Sequence, residues 1–144
     1  MFLGEHEHTI DDKGRLTLPA KLRAPFASGI VLARGLDKCV NAYTPERWKA
    51  LGEERVARLD PFSAEGRKIR RYLFTGASES QLDRQGRVPV PAALARYAGL
   101  GREVVVAGVE DHLEIWDRAV WREQAEEFEG NAEDVAERLA AAGN

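Results

Sequence analysis

The chain has 144 residues, 44% hydrophobic and 31% charged, with a single cysteine. This is the composition of a globular protein, and a chain of this length buries roughly two thirds of its unfolded surface without disulfides or metal. The net charge of −3 argues against a nucleic-acid partner if taken whole, but residues 1–109 carry +5 and residues 110–144 carry −8, so a mildly basic body precedes an acidic tail. The opening residues lack a basic segment followed by a long apolar one, which predicts no signal peptide. The longest apolar run, residues 104–109, is far too short to span a bilayer. Cys39 has no partner within the chain, and a cytoplasmic protein is the expectation.

An internal repeat organises everything else. Residues 9–22 (TIDDKGRLTLPAKL) match residues 81–94 (QLDRQGRVPVPAAL) at an offset of 72, with six of fourteen positions identical. After one extra residue the match continues at an offset of 73, aligning Gly35 with Gly108, Tyr43 with Trp116 and Trp48 with Trp121. The chain therefore reads as two copies of one unit, residues 1–76 and 77–144, the second ending in an acidic helical tail.

Each copy opens with an apolar residue and Asp-x-x-Gly-Arg. Asp starts a turn through its side-chain acceptor and Gly supplies a positive φ, so residues 11–15 and 83–87 are expected at hairpin tips. The alternation Leu16, Thr17, Leu18 predicts a half-buried strand, ended by Pro19. Pro91 ends its counterpart and opens a helix that Gly99 stops near residue 98. Strands follow at 30–33 and 103–107, then at 39–43 and 112–116. Thr44 and Asp117 are equivalent helix N-caps, and Tyr43/Trp48 and Trp116/Trp121 repeat a hydrophobic staple, which assigns these aromatics to packing rather than to base stacking. Copy one adds a helix over about 63–74 whose Arg67, Lys68, Arg70 and Arg71 read either as solvated surface or as support for the second hairpin. In copy two an Ala- and Glu-rich segment capped by Asn131 is expected to be helical.

The candidate site is the pair of hairpin tips. Lys13 and Arg15 flank Gly14 in the first, and Arg84 and Arg87 flank Gly86 in the second. A guanidinium can bond guanine O6 and N7 together or clasp a phosphate, and Gly lets the backbone approach closely. Asp11 and Asp83 support the motif by pairing with the Arg four residues on. The same pairs could exist for folding alone.

The opening MF-x-G, HTIDDKGRLTLPAK at residues 8–21, LDRQGRVPVP at 82–91 and EIW at 114–116 together resemble the MraZ family, over nearly the whole chain short of the tail beyond about Glu129. The resemblance implies an α+β fold of two AbrB-like, swapped-hairpin β units in pseudo-two-fold arrangement, forming one β-barrel-like core with helices after each. It implies a bacterial transcriptional regulator acting on the promoter of its own division and cell-wall gene cluster. Its expected partners are double-stranded DNA, read as short G-rich direct repeats, and further copies of itself in a ring-shaped homo-oligomer. Residence on the nucleoid follows, with no membrane association.

Other classes fit less well. No nucleophile elbow and no Gly-Ser dipeptide are present, so no enzyme is expected. Glu5, His6, Glu7 and His8 place two His on one strand face, but nothing completes a metal site unless the fold brings His112 near, and no cofactor is expected. The stronger rival is an AbrB-like antitoxin or interaction scaffold, in which the hairpins serve oligomerisation and the acidic tail binds a basic partner.

Overall fold

The computed structural model describes residues 1–143. In chain order the strands and helices are β1 (Glu5–Thr9), β2 (Arg15–Thr17), β3 (Ile30–Arg34), β4 (Val40–Tyr43), α1 (Pro45–Glu54), α2 (Ala64–Thr75), β5 (Ser78–Ser80), β6 (Arg87–Pro89), α3 (Ala92–Tyr97), β7 (Glu103–Gly108), β8 (Leu113–Asp117) and α4 (Arg118–Ala141). Short 3₁₀ turns occupy Ala20–Leu22, Ala24–Phe26 and Val56–Arg58.

The strand pairing is symmetric between the two sequence copies. A six-stranded antiparallel sheet runs β1-β7-β8-β4-β3-β5, and a separate ribbon pairs β2 with β6. The order reads the same from either edge: β4 meets its equivalent β8 at the centre, and β2 meets its equivalent β6. The first strand of each copy leaves its own unit, β1 pairing with β7 of the second copy and β5 with β3 of the first. Neither copy could complete its sheet alone. The eight strands form no closed barrel. The ribbon joins the sheet by one bridge, Ile10 to Leu16, and otherwise lies over one sheet face through side-chain packing.

That packing is the core. Leu16, Val88, Ile30, Leu32, Val104, Val106, Leu113 and Ile115 have essentially no exposed surface. Phe2 stacks on Phe26 at 5.3 Å beside them. Alternate residues of β3 and β7, Val31, Ala33, Val105 and Ala107, are buried on the opposite sheet face, where α1 and α2 contact β3 and α4 contacts β7 and β8. Strands buried on both faces read as unbroken apolar runs, which is why 30–33 and 103–107 stand out in the sequence. Residues 5–9 and 78–80 carry no such run; they are strands because the other copy offers an edge to pair with.

The local signals behave as their chemistry requires. Thr44 accepts the Arg47 N–H at 3.1 Å, Ser63 that of Gly66 at 3.2 Å, and Asp117 that of Val120 at 3.3 Å. The staples form, with ring centroids 5.3 Å apart for Tyr43 and Trp48 and 5.8 Å for Trp116 and Trp121. Gly99, at φ 62°, closes α3. Asn131 does not cap a helix: α4 passes through it unbroken from Arg118 to Ala141, because the helix formers on either side outweigh Gly130 and Asn131 and no proline interrupts the stretch. The equivalent stretch of copy one contains Asp60 and Pro61, and there the chain breaks into α1 and α2.

A polar cluster ties the copies together where β4 meets β8. His112 stacks on Tyr43 at 5.2 Å, its Nδ1 lies 2.7 Å from Asp111 and its Nε2 3.4 Å from Glu114; Arg47 bridges to Asp111 at 2.9 Å. The Glu114 carboxylate and then Asp111 raise the imidazole above its ordinary value against the opposing effect of burial. The His112 hydrogen bonds in turn hold Glu114 and Asp111 below theirs. A raised His stabilises the fold fully below its unfolded value of about 6.5, and that contribution fades as pH climbs through the folded value. The two carboxylates contribute above their unfolded values and lose it as pH falls through the lowered folded ones. Urea midpoints measured from pH 5.5 to 9 should therefore decline on the alkaline side, and H112Q should flatten that decline; an unchanged slope in H112Q would remove His112 as its source.

Candidate nucleic-acid interface

Asp11 organises the first turn. Its Oδ1 accepts the N–H groups of Lys13 and Arg15, each at 2.9 Å, and its Oδ2 accepts Arg15 Nε at 2.9 Å. Its own N–H donates to the Arg15 carbonyl, and the Gly14 N–H donates to the Asp11 carbonyl. Asp83 repeats every bond in the second turn: Oδ1 accepts the N–H groups of Gln85 and Arg87, and Oδ2 accepts Arg87 Nε at 2.6 Å. The backbone N–H of Arg15, then its side chain and the Lys13 N–H, hold the Asp11 carboxyl below the usual carboxylate range; Arg87 and Gln85 do the same for Asp83. These are Asx turns reinforced by a guanidinium.

The two turns lie at opposite ends of the ribbon and are knitted into it. The Leu18 N–H donates to the Gly86 carbonyl and the Val90 N–H to the Gly14 carbonyl, both at 2.9 Å, beyond the register Arg15 with Pro89, Leu16 with Val88 and Thr17 with Arg87. Strand side chains alternate, so Leu16 and Val88 enter the core while Arg15, Thr17, Arg87 and Pro89 form the outer face. Arg15 and Arg87 are diagonal cross-strand neighbours on that face. The sequence places both Arg at separate tips; the fold brings them together on one surface.

With Nε committed to Asp, each guanidinium keeps two Nη groups that have no partner among the described residues. The Arg15 and Arg87 side chains retain 31% and 27% of their surface exposed, so they are held and still reachable. Ion pairing with Asp and availability to a ligand coexist in one geometry. Lys13 and Arg84, at the turns themselves, are exposed and make no ion pair among the described residues.

Two further cations border the site that the motif alone does not reveal. Arg23 donates through Nε to the Leu18 carbonyl at 2.9 Å and lies against the second turn, where a Cβ built on Gly86 would sit 2.3 Å from it. Arg102 bridges to Asp12 at 3.0 Å beside the first turn. Arg23 has no basic counterpart, since the repeat places Ala95 there, and that break was its one sequence signal. Arg102 arrives only through the exchanged β1–β7 pairing. The Glu5, His6, Glu7 and His8 run lies on β1 away from His112, and no group of three His, Cys, Asp or Glu side chains suited to a metal ion occurs among the described residues.

A duplicated unit whose strands complete each other, with a matched Asp–Arg turn in each half, defines a tandem-repeat protein built as a pseudo-dimer. The family model for MraZ proteins, described as antitoxin-like, matches it twice, over residues 1–71 and 73–142. The chain belongs to the MraZ family.

The two turn glycines differ in surroundings. Both have positive φ, 77° at Gly14 and 75° at Gly86, and an L side chain there costs about 1 kcal/mol or more. Beside Gly14 a Cβ meets nothing nearer than 3.8 Å, whereas beside Gly86 it collides with Arg23. G86A should lower the melting temperature more than G14A, and adding R23A should cancel the difference. Equal losses in G14A and G86A would show that Arg23 does not hold the second turn.

Proposed function

We propose that this protein is a sequence-specific DNA-binding transcriptional regulator that reads duplex DNA through the outer face of the β2–β6 ribbon. The observation that carries the reading is the pair Arg15 and Arg87, each fixed by an Asp through Nε and presenting two unpaired Nη donors on the same face. An end-on guanidinium pair matches guanine O6 and N7, and a two-stranded ribbon fits the major groove. Lys13, Arg84 and Arg23 around it suit phosphates, with Gly14 and Gly86 allowing close approach. In this reading the partner is a set of short G-rich direct repeats before its own division and cell-wall genes. The protein acts on the nucleoid as a ring-shaped homo-oligomer. Among the described residues no helix is long and apolar enough to cross a membrane.

The reciprocal pairing of β1 with β7 and β5 with β3 supports assigning residues 1–76 and 77–144 as two AbrB-like, swapped-hairpin units. An antitoxin or scaffold role would use the same architecture without the DNA face.

Binding to the duplex upstream of its own gene, against a scrambled duplex, separates the two. Specific binding should weaken steeply from 50 to 200 mM salt, because several cations release counterions together. R15A should lose about 1–3 kcal/mol of specific binding for each engaged site. R15K should keep the salt dependence and lose base preference, since it retains charge without the fork. A folded R15A protein that prefers the cognate duplex as wild type does would take Arg15 out of the interface. Absence of any cognate preference in wild type would favour the scaffold role.

A further inference from the structure

The β2–β6 ribbon is two-fold symmetric in its backbone but not in its outer side chains. The Leu18 N–H reaches the Gly86 carbonyl and the Val90 N–H reaches the Gly14 carbonyl. Ladder bonds alternate along an antiparallel pair, so the pairs between these two, Arg15 with Pro89 and Thr17 with Arg87, exchange none. At such positions the facing Cα atoms are about 4.5 Å apart and the side chains come closest. Arg15 therefore stands beside Pro89, and Arg87 beside Thr17. The same alternation explains how a proline sits in β6, since the ladder needs no N–H from it.

The repeat makes Thr17 and Pro89 equivalent, at the offset of 72 that also relates Arg15 to Arg87. One arginine has a hydroxyl for a neighbour and the other an apolar ring. Thr17 is half-buried and Pro89 exposed, and the Thr17 Oγ1 has no hydrogen-bond partner among the described residues. Both arginines are drawn back through Nε to the Asp four residues before them. Each guanidinium is thus held towards its turn instead of standing straight off the strand. The short side chain at the ribbon's centre is left free to meet whatever the ribbon lies on. Lys13 and Arg84 also differ between the halves, but they sit at the two ends and suit phosphates, which position a protein without telling bases apart.

We infer that Thr17 is a specificity-determining residue, whose hydroxyl reads the base pair next to the guanine met by Arg87. The inference rests on the proposed function and deepens it. A threonine hydroxyl both donates and accepts, and so can bond a base edge in the major groove. Pro89 holds the matching place beside Arg15 and offers neither donor nor acceptor. The two halves of the ribbon therefore read different sequences. A backbone with two-fold symmetry recognises an asymmetric site, and each bound site has one orientation.

The test is binding to the duplex upstream of its own gene and to duplexes carrying each single base-pair change in it, with wild type, T17V, T17S, P89T and R87A. T17V keeps the shape of the side chain and removes the hydroxyl. It should lose about three- to tenfold of discrimination at one position adjoining a guanine, which is the worth of one hydrogen bond. Its guanine discrimination and melting curve should match wild type. T17S should discriminate as wild type does, and P89T should add discrimination at a second position, the mirror of the first. The inference is overturned if T17V discriminates as wild type does at every position. An even loss at all positions overturns it too, by making Thr17 a phosphate or folding contact. If R87A loses guanine discrimination while T17V is silent, this inference fails alone. If wild type prefers no base pair anywhere, it fails together with the proposed function.

Discussion

Leu16 and Val88 face each other across the ribbon and are wholly buried, and the rest of the surface follows from that register. Strand side chains alternate with period two, so a slip of one residue would turn Arg15 and Arg87 into the core and Leu16 and Val88 into water. Burying two guanidinium groups without full pairing is far costlier than exposing two aliphatic side chains. The core therefore fixes which face carries charge. The Asp turns at either end then fix how the charge is held, because each Asp satisfies two backbone donors and one guanidinium donor with two oxygens. Folding and the display of cations are one arrangement here, because the carboxylate that closes each turn also holds its guanidinium.

Much of this is legible in the sequence. The duplicated Asp-x-x-Gly-Arg turns, the caps at Thr44 and Asp117 and the paired staples depend on contacts within a few residues, and local chemistry determines them. The apolar runs of β3 and β7 are visible because both faces are covered. The strands β1 and β5 are not legible, since their alternation of Glu, His and Ser carries no buried face; they exist because each pairs with an edge of the other copy, far away in the sequence. The same distance hides the gathering of Arg15 and Arg87 on one surface. Hairpin tips read from sequence look like two separate sites, and only the cross-copy ribbon makes them one. Arg23 and Arg102 escape for the same reason, as each reaches the motif from another part of the chain. The straight run of α4 through Asn131 shows a good capping residue overruled by the helix formers around it.

Duplication within one chain also permits asymmetry. Two identical subunits would carry identical turns, whereas here Arg23 packs on Gly86 and has no equivalent on Gly14, and the second copy has Gln85 where the first has Lys13. The central cluster differs as well: His112, Glu114 and Trp116 occupy the places of Cys39, Asn41 and Tyr43. Burial pushes the Cys39 thiol up to about 12, so that side is a neutral, thiol-containing core contact while the other is an ion-paired network. The pseudo-dyad is kept by backbone pairing, and the side chains about it are free to diverge. The sharpest divergence, one bent helical pair against one straight helix, lies farthest from that pairing.

In the proposed function, Asp keeps each ribbon arginine by Nε while its Nη groups meet DNA. Nitrogen-resolved NMR of the guanidinium groups, followed during titration with the duplex upstream of its own gene, observes this directly. The Nε–H signals of Arg15 and Arg87 should hold their positions, since the bonds to Asp11 and Asp83 persist, while their Nη signals shift and slow their exchange. Saturation of the duplex with the Nη signals of both residues unmoved would contradict it.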